Sequence, residues 1–185
     1  MLHFALIVLC CTLVLNESFG AVISAIKIEG NSLSSDRLIF KNIRSRIGSE
    51  LKAIILNEDI KRLNELGRFS KIEVKEIIRN DQVQIVFLVE EKPIIKKRTF
   101  TGNNKLKVSI FDENLIGEID TRYDKSIALS DESKIKQAYK DEGYLFSKVK
   151  HTKRYIDKNN QFIHINYDLI ENSELKIAAV TFKGN

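Results

Sequence analysis

Ile26-Lys27-Ile28-Glu29-Gly30-Asn31 returns as Arg98-Thr99-Phe100-Thr101-Gly102-Asn103 and again as Val180-Thr181-Phe182-Lys183-Gly184-Asn185. The glycines stand 72 and 82 residues apart. The first two copies are followed at similar distances by Leu66-Gly67-Arg68-Phe69-Ser70-Lys71-Ile72 and by Glu142-Gly143-Tyr144-Leu145-Phe146-Ser147-Lys148-Val149. A period this long is a whole small domain, so the chain reads as a tandem array that opens a third unit at its end.

Within the first unit, Val22 to Glu29 reads as a strand with Ile26 and Ile28 on one face. Gly30 accommodates positive φ, and Asn31, Ser32 or Ser34 can cap the helix that follows. Ile39, Ile43 and Ile47 recur at helical spacing beside Phe40, which predicts a helix ending at Gly48. A second helix is expected from about Asn57, with Glu58 and Asp59 in its first turn, Ile60 and Leu63 on its core face, and Gly67 as its cap. Phe69 to Ile78, the turn Arg79-Asn80-Asp81-Gln82, and the alternating Val83, Ile85, Phe87 and Val89 complete a hairpin.

The second unit predicts the same order. Its first strand is Ile94 to Thr101, and its first helix buries Val108, Phe111 and Leu115. A second helix begins after Ser130, packs Ile135, Ala138 and Tyr139, and ends at Gly143. The hairpin pairs Phe146–Ile156 with Phe162–Ile170, where Ile163, Ile165, Tyr167 and Leu169 face in. The fold class is α+β: two units of β-α-α-β-β, each with two helices on one face of a three-stranded sheet. The implied boundaries are 21–93 and 94–173, joined at Lys92-Pro93, with 174–185 as the first strand of a truncated third unit. A lone strand cannot bury its apolar face, so that last segment is expected to be poorly ordered or bound to something else.

Composition narrows the setting. Apolar content of 43% with 30% charged residues excludes a disordered chain. Residues 1–20 carry an apolar run from Phe4 to Leu15, too short to span a bilayer of ~30 Å. Ser18-Phe19-Gly20 offers a signal-peptidase site, so a cleaved secretory signal is expected, although no Lys or Arg precedes the run. A retained membrane anchor is the rival reading; a lipoprotein through Cys10 or Cys11 is disfavoured by bulky Leu9. Both cysteines lie in that segment, so the exported chain relies on hydrophobic cores rather than disulfides, which suits a periplasm. Losing residues 1–20, whose one formal charge is Glu17, raises the net charge from +5 to +6. Basic and acidic residues interleave, as in Lys71-Ile72-Glu73-Val74-Lys75-Glu76, the pattern of a solvated strand face. The cluster Lys96-Lys97-Arg98 fits either a solvated edge or contact with anionic lipid or partner. Nucleic acid is excluded by export and by the lack of stacking aromatics beside the basic residues.

The element order, with Gly30-Asn31 and Gly102-Asn103 after the first strands and Gly67-x-Phe69 and the Gly143 to Phe146 segment before the second, resembles the POTRA (polypeptide-transport-associated) domain. The tandem form, with the junction Glu90-Glu91-Lys92-Pro93-Ile94, is similar to the N-terminal region of BamA-type outer-membrane β-barrel assembly factors. The resemblance covers essentially residues 21–185. It implies a mixed sheet with the last strand central and the second strand at an edge. It also implies a periplasmic role: binding unfolded outer-membrane proteins and assembly lipoproteins, and feeding clients to a C-terminal membrane β-barrel. Further repeats and that barrel are absent from these 185 residues, which reads as a fragment, a truncated product or a partial gene.

An edge strand exposes unpaired backbone groups to which an extended chain can add. The expected partner-binding edges are Ser70, Ile72, Val74 and Ile78 in one unit and Ser147, Val149, His151 and Tyr155 in the other. Edges merely solvated behind their own charges are the alternative. Gly30, Asn31, Gly67, Phe69, Gly102, Asn103, Gly143 and Phe146 are read as structural, with Phe69 and Phe146 anchoring the hairpins to the helices. No catalytic residue, metal site or cofactor is expected: His151 and His164 lack ligand spacing, and no nucleophile elbow or phosphate loop occurs. Two other classes fit less well. A two-partner-secretion transporter would carry a Pro-rich N-terminal stretch, and an anchored cell-division scaffold similar to FtsQ would carry a basic tail and a full membrane helix.

Overall fold

Parallel strands need a crossover connection, and each unit supplies one from its two helices. The computed structural model describes residues 21–80, 82–175 and 179–184. The expected signal at 1–20 lies outside them, as does Asp81 of the first hairpin turn. The first unit runs β1 (Val22–Glu29), α1 (Asp36–Asn42), α2 (Ala53–Glu65), β2 (Phe69–Arg79) and β3 (Gln82–Glu91). The second runs β4 (Ile94–Thr101), α3 (Ser109–Asp112), α4 (Lys125–Asp141), β5 (Lys148–Tyr155) and β6 (Phe162–Ile170). The sheets are ordered β1-β3-β2 and β4-β6-β5. The last strand of each unit is central, parallel to the first and antiparallel to the second. The fold is α+β with two three-stranded mixed sheets.

The central strands bury the residues that alternate in sequence. Val83, Ile85, Phe87 and Val89 pack with Ile39, Leu56 and Leu63 in the first core. Ile163, Ile165, Tyr167 and Leu169 pack with Phe111, Ile135 and Tyr139 in the second. Aromatics dominate that second core, where Phe100 meets Phe111 edge-on at 5.1 Å and stacks on Tyr167 at 5.6 Å.

The helices depart from their predicted bounds. α1 ends at Asn42: Ile43 is buried but extended, and Ile47 is 65% exposed, so Gly48 closes a turn rather than a helix. The N-cap is Ser35, which accepts from Leu38 N–H; Asn31 instead donates to the Ser34 carbonyl and to Asp36. α2 begins at Ala53, which moves Asp59 from a first turn to mid-helix, fully buried. α3 is a single turn; Leu115 is buried beyond its end. α4 begins at Lys125 behind the N-cap Asp124 rather than after Ser130, so Glu132 lies mid-helix instead of in a first turn.

One cause underlies most of these shifts. Asp59 accepts from Arg44 N–H (2.6 Å), Ser45 N–H (3.0 Å) and the Ser45 hydroxyl (2.6 Å). Asp131, 72 residues on, accepts from Ile116 N–H (2.8 Å), Gly117 N–H (2.9 Å) and the Tyr167 hydroxyl (3.1 Å). These N–H groups are paired away from any helix, so the chain leaves the first helix early and turns toward a buried carboxylate.

A second carboxylate closes each first loop. Glu91 accepts from Ser32 N–H (2.7 Å) and Leu33 N–H, and Glu171 accepts from Asn104 and Lys105 N–H (both 2.9 Å) and the Tyr139 hydroxyl (2.6 Å). Gly30 and Gly102 lie beside these clamps with φ of +92° and +81°. A Cβ at either would stand 2.1 Å from a carbonyl oxygen, that of Val89 or Leu169.

The hairpins differ at their starts. Phe69 is buried, because a bulge between Phe69 and Lys71 returns it to the face shared with Ile72 and Val74. Phe146 is 62% exposed, which corrects the expectation that it anchors the second hairpin. Residues 144–147 form a turn, β5 starts only at Lys148, and Tyr144 packs edge-on against Tyr139 instead. Among the described residues beyond Ile170 there is no strand, so the third copy of the motif builds no sheet there.

Candidate functional site: the open sheet edges

The two outer edges of each sheet are not equally free. The outer side of β1 is covered at its start by the segment before α2: Ile23 N–H donates to Ser49 O (2.9 Å), and Gly48 N–H donates to Ile23 O (2.8 Å). β4 is covered in the same way by Thr121 and Asp120 against Ile95 (2.9 and 2.8 Å). β2 and β5 have no such backbone partner among the described residues, and they form the open edges.

The register shows which groups face outward. On β5, His151 stands opposite Tyr167, yet its N–H donates to Glu132 Oε1 of α4 at 2.7 Å, away from β6. Residues of that parity (Val149, His151, Lys153, Tyr155) therefore turn their backbone groups to the edge. Val74 stands opposite Phe87 in the equivalent register, which gives Ile72, Val74, Glu76 and Ile78 the same role on β2. No hydrogen bond runs to their outward groups among the described residues. Position 60, the counterpart of Glu132, is Ile, so β2 lacks the carboxylate that occupies the middle of β5.

Of the expected edge residues, Ile72 and Val74 are half-buried against the first core, and Ile78 is exposed. Ser70 is exposed, with its hydroxyl on Glu90 O (3.2 Å). Val149 is buried in the second core, and Tyr155 is exposed beneath the Lys153 ammonium (5.1 Å to the ring centroid). Ser147 is buried and precedes the strand, so it is not an edge residue. His151 is engaged on every polar side-chain atom: Nδ1 lies 2.7 Å from Glu132 Oε1 and Nε2 lies 3.1 Å from the Tyr123 hydroxyl. What these edges offer is therefore backbone, not a cluster of side chains.

The solvent faces carry no assembled chemistry among the described residues. His164 lies on the side of its sheet opposite His151, bonded to Thr99 (2.6 Å). Burial, with Lys97 and Arg154 nearby, lowers its pKa. The basic cluster at 96–98 is largely neutralised within the unit, since Lys96 pairs with Asp120 (2.5 Å) and Arg98 with Asp112 (2.6 Å). No helix among the described residues is long and apolar enough to cross a membrane.

The sequence places Asp59 and Glu132 at helix starts as capping carboxylates rather than as acceptors for distant N–H groups, and it assigns no such bonding to Asp131, Glu91 or Glu171. The signal was available for Asp59 and Asp131, which repeat at the 72-residue interval of the glycines.

Comparison with known proteins agrees with this architecture. The POTRA family model, described as surface antigen variable number repeat, matches residues 21–92 and again 93–172. The outer membrane protein assembly factor BamA of Nitratidesulfovibrio vulgaris is 23% identical over 132 residues, covering 71% of this chain and 17% of that protein. BamA of Buchnera aphidicola is 28% identical over 166 residues, covering 88% of this chain and 26% of that protein. The chain thus spans about a quarter or less of the curated relatives it matches. Among solved structures, the N-terminal domain of Omp85 from Thermosynechococcus elongatus superposes with a TM-score of 0.52 at 21% identity, covering 79% of this chain and 61% of that one. With two successive matches covering both β-α-α-β-β units, the chain belongs to the POTRA family.

Proposed function

We propose that this chain is the periplasmic POTRA region of an outer-membrane protein assembly factor, with residues 21–93 and 94–173 as its tandem units. In this reading it binds unfolded outer-membrane proteins and assembly lipoproteins by strand addition, and delivers clients to a membrane β-barrel. The observation that carries the proposal is the open edge of β2, where Ile72, Val74, Glu76 and Ile78 turn unpaired backbone groups outward. Pairing through backbone is nearly indifferent to client sequence, which suits a receptor for many β-rich chains. The charged flank Lys71, Glu73 and Lys75 keeps the edge soluble while it is empty. β5 is the weaker edge, since a client must first displace Glu132 from the His151 N–H.

The test places a photo-crosslinker at Glu76 and at Lys153, and presents a urea-unfolded outer-membrane β-barrel protein. Strong crosslinking from Glu76 and weak crosslinking from Lys153 is expected. Glu76→Pro removes an outward donor without touching the β2–β3 ladder, and should abolish capture while circular dichroism stays unchanged. Capture that survives this change in a folded protein rules out strand addition at β2.

A further inference from the structure

The first unit holds a cleft of about 570 Å³ beside α1. Ile26, Phe40 and Ile47 form its apolar lining, and Arg37, Lys41 and Arg46 surround it with no carboxylate among the lining residues. Phe40 is 38% exposed, an unusual state for a phenylalanine on a helix that already buries Ile39. Arg46 is held by the carbonyls of Ile43 (2.7 Å) and Ser45 (2.8 Å), while Arg37 and Lys41 have no ion pair among the described residues.

The second unit shows how the same place looks when the protein fills it. Counting on by 72, Ile26 becomes Arg98 and Phe40 becomes Asp112, and these two form an ion pair at 2.6 Å. Arg98 also donates to Gly117 O at 2.7 Å, which seals the space against β4. Lys41 and Arg46 become Glu113 and Glu118, so the cationic character belongs to the first unit alone.

We infer that the cleft between β1 and α1 is a second docking site, for an extended acidic-apolar peptide segment of a partner protein. An apolar side chain of the segment fills the space between Ile26 and Phe40, and its carboxylates meet Arg37, Lys41 and Arg46 in the absence of competing acids. The backbone decides for an extended peptide. Past Ile23, the outward groups of β1 make no hydrogen bond among the described residues, and they run beside Ile26 where a peptide main chain can pair. An anionic lipid satisfies the cations but not those groups. A second copy of the chain would present the acidic counterpart around Glu113 and Glu118, on the connection between α3 and α4, which is not itself a strand and carries its acids beside the paired Arg98. The site lies on the opposite edge of the sheet from β2, so it does not depend on client capture there.

The test uses a fluorescein-labelled ten-residue peptide alternating Glu with Val and Phe, titrated with the chain and read by anisotropy. Its Lys-for-Glu counterpart is the control. Saturable binding of the acidic peptide alone is expected, weakening as NaCl rises from about 50 to about 300 mM. Two variants probe the cleft independently. Ile26→Arg with Phe40→Asp transplants the ion pair of the second unit, and Arg37→Glu with Lys41→Glu reverses two exposed charges without touching the core. Each should weaken binding by about tenfold or more, whereas Glu76→Pro should leave it unchanged. Equal binding of the basic peptide, or indifference to both variants in folded protein, overturns the proposal. So does loss of binding in Glu76→Pro alone, which moves the peptide to β2. Two further outcomes also overturn it: phosphatidylglycerol vesicles displacing the peptide in a cleft-dependent way, or a cleft-dependent dimer in sedimentation.

Discussion

The residues that fix each unit are carboxylates aimed at backbone. Asp59 and Asp131 are fully buried, and each satisfies two N–H groups of the loop before the second helix. Replacing Asp59 with Ala leaves those donors unpaired in a dry site, and should cost about 3 kcal/mol in urea unfolding. Asp59→Asn keeps one oxygen acceptor at nearly unchanged volume and should cost less; equal losses would mean that a single acceptor oxygen does not hold the loop. The glycines divide by the same kind of reasoning. Gly67 has φ of +66° with open space where a methyl group would stand, so Gly67→Ala carries only the left-handed backbone cost of about 1–2 kcal/mol. Gly102 adds a 2.1 Å collision with Leu169 O, and Gly102→Ala should be several-fold more damaging to the thermal midpoint. Similar midpoints for the two variants would show that the β4–β6 junction yields easily.

Among the elements, the paired hairpin starts give a clean contrast. Phe69→Ala empties a core position and should cost about 3–5 kcal/mol, whereas exposed Phe146→Ala should stay within about 0.5 kcal/mol, both read by chemical denaturation. Phe69 follows Gly67 by two residues and Phe146 follows Gly143 by three, and the bulge at Ser70 that returns Phe69 to the core leaves no mark in the pattern of apolar residues. Strands were legible because alternation is set by the pleat itself: β1 and β4 run from Val22 to Glu29 and from Ile94 to Thr101 as periodicity predicts. Helix ends were not, because they are decided by long-range partners. Ile43 and Ile47 keep helical spacing, yet Asp59 draws Arg44 and Ser45 out of the helix from fifteen and fourteen positions away. The edges were legible as strands but not as unequal, since the closure of β5 depends on Glu132 reaching His151 from α4.

At the scale of the molecule, the units meet through a short polar joint. Lys92 pairs with Asp124, the N-cap of α4, and Asp124 also accepts from Ser126 N–H at 2.9 Å. The Lys92 ammonium and the Ser126 bonds lower the Asp124 pKa from its ordinary 3.8 to about 2. A depressed carboxylate pKa contributes stability that is fully present above the unfolded value and is lost as pH falls through the folded one. The stability gap between the native protein and Asp124→Ala should therefore be constant above about pH 5 and shrink between about pH 4 and 2; a gap that holds at pH 2 would contradict the pairing. Arg122 of the second unit extends the joint by donating to Lys92 O (2.8 Å) and Arg68 O (3.4 Å), and it lies 3.5 Å from Glu91 of the first. Glu91 keeps its bonds from Ser32 and Leu33 without Arg122, so the first unit should not unfold when the guanidinium is removed. Arg122→Ala is thus expected to leave both folded cores intact while freeing one unit from the other. Residual dipolar couplings should fit one alignment tensor in the native protein and two in Arg122→Ala. Arg122→Lys should fall between them, because an ammonium keeps the charge opposite Glu91 but cannot span both carbonyls. A single tensor in Arg122→Ala would place the rigidity of the pair in Pro93 and Lys92 instead.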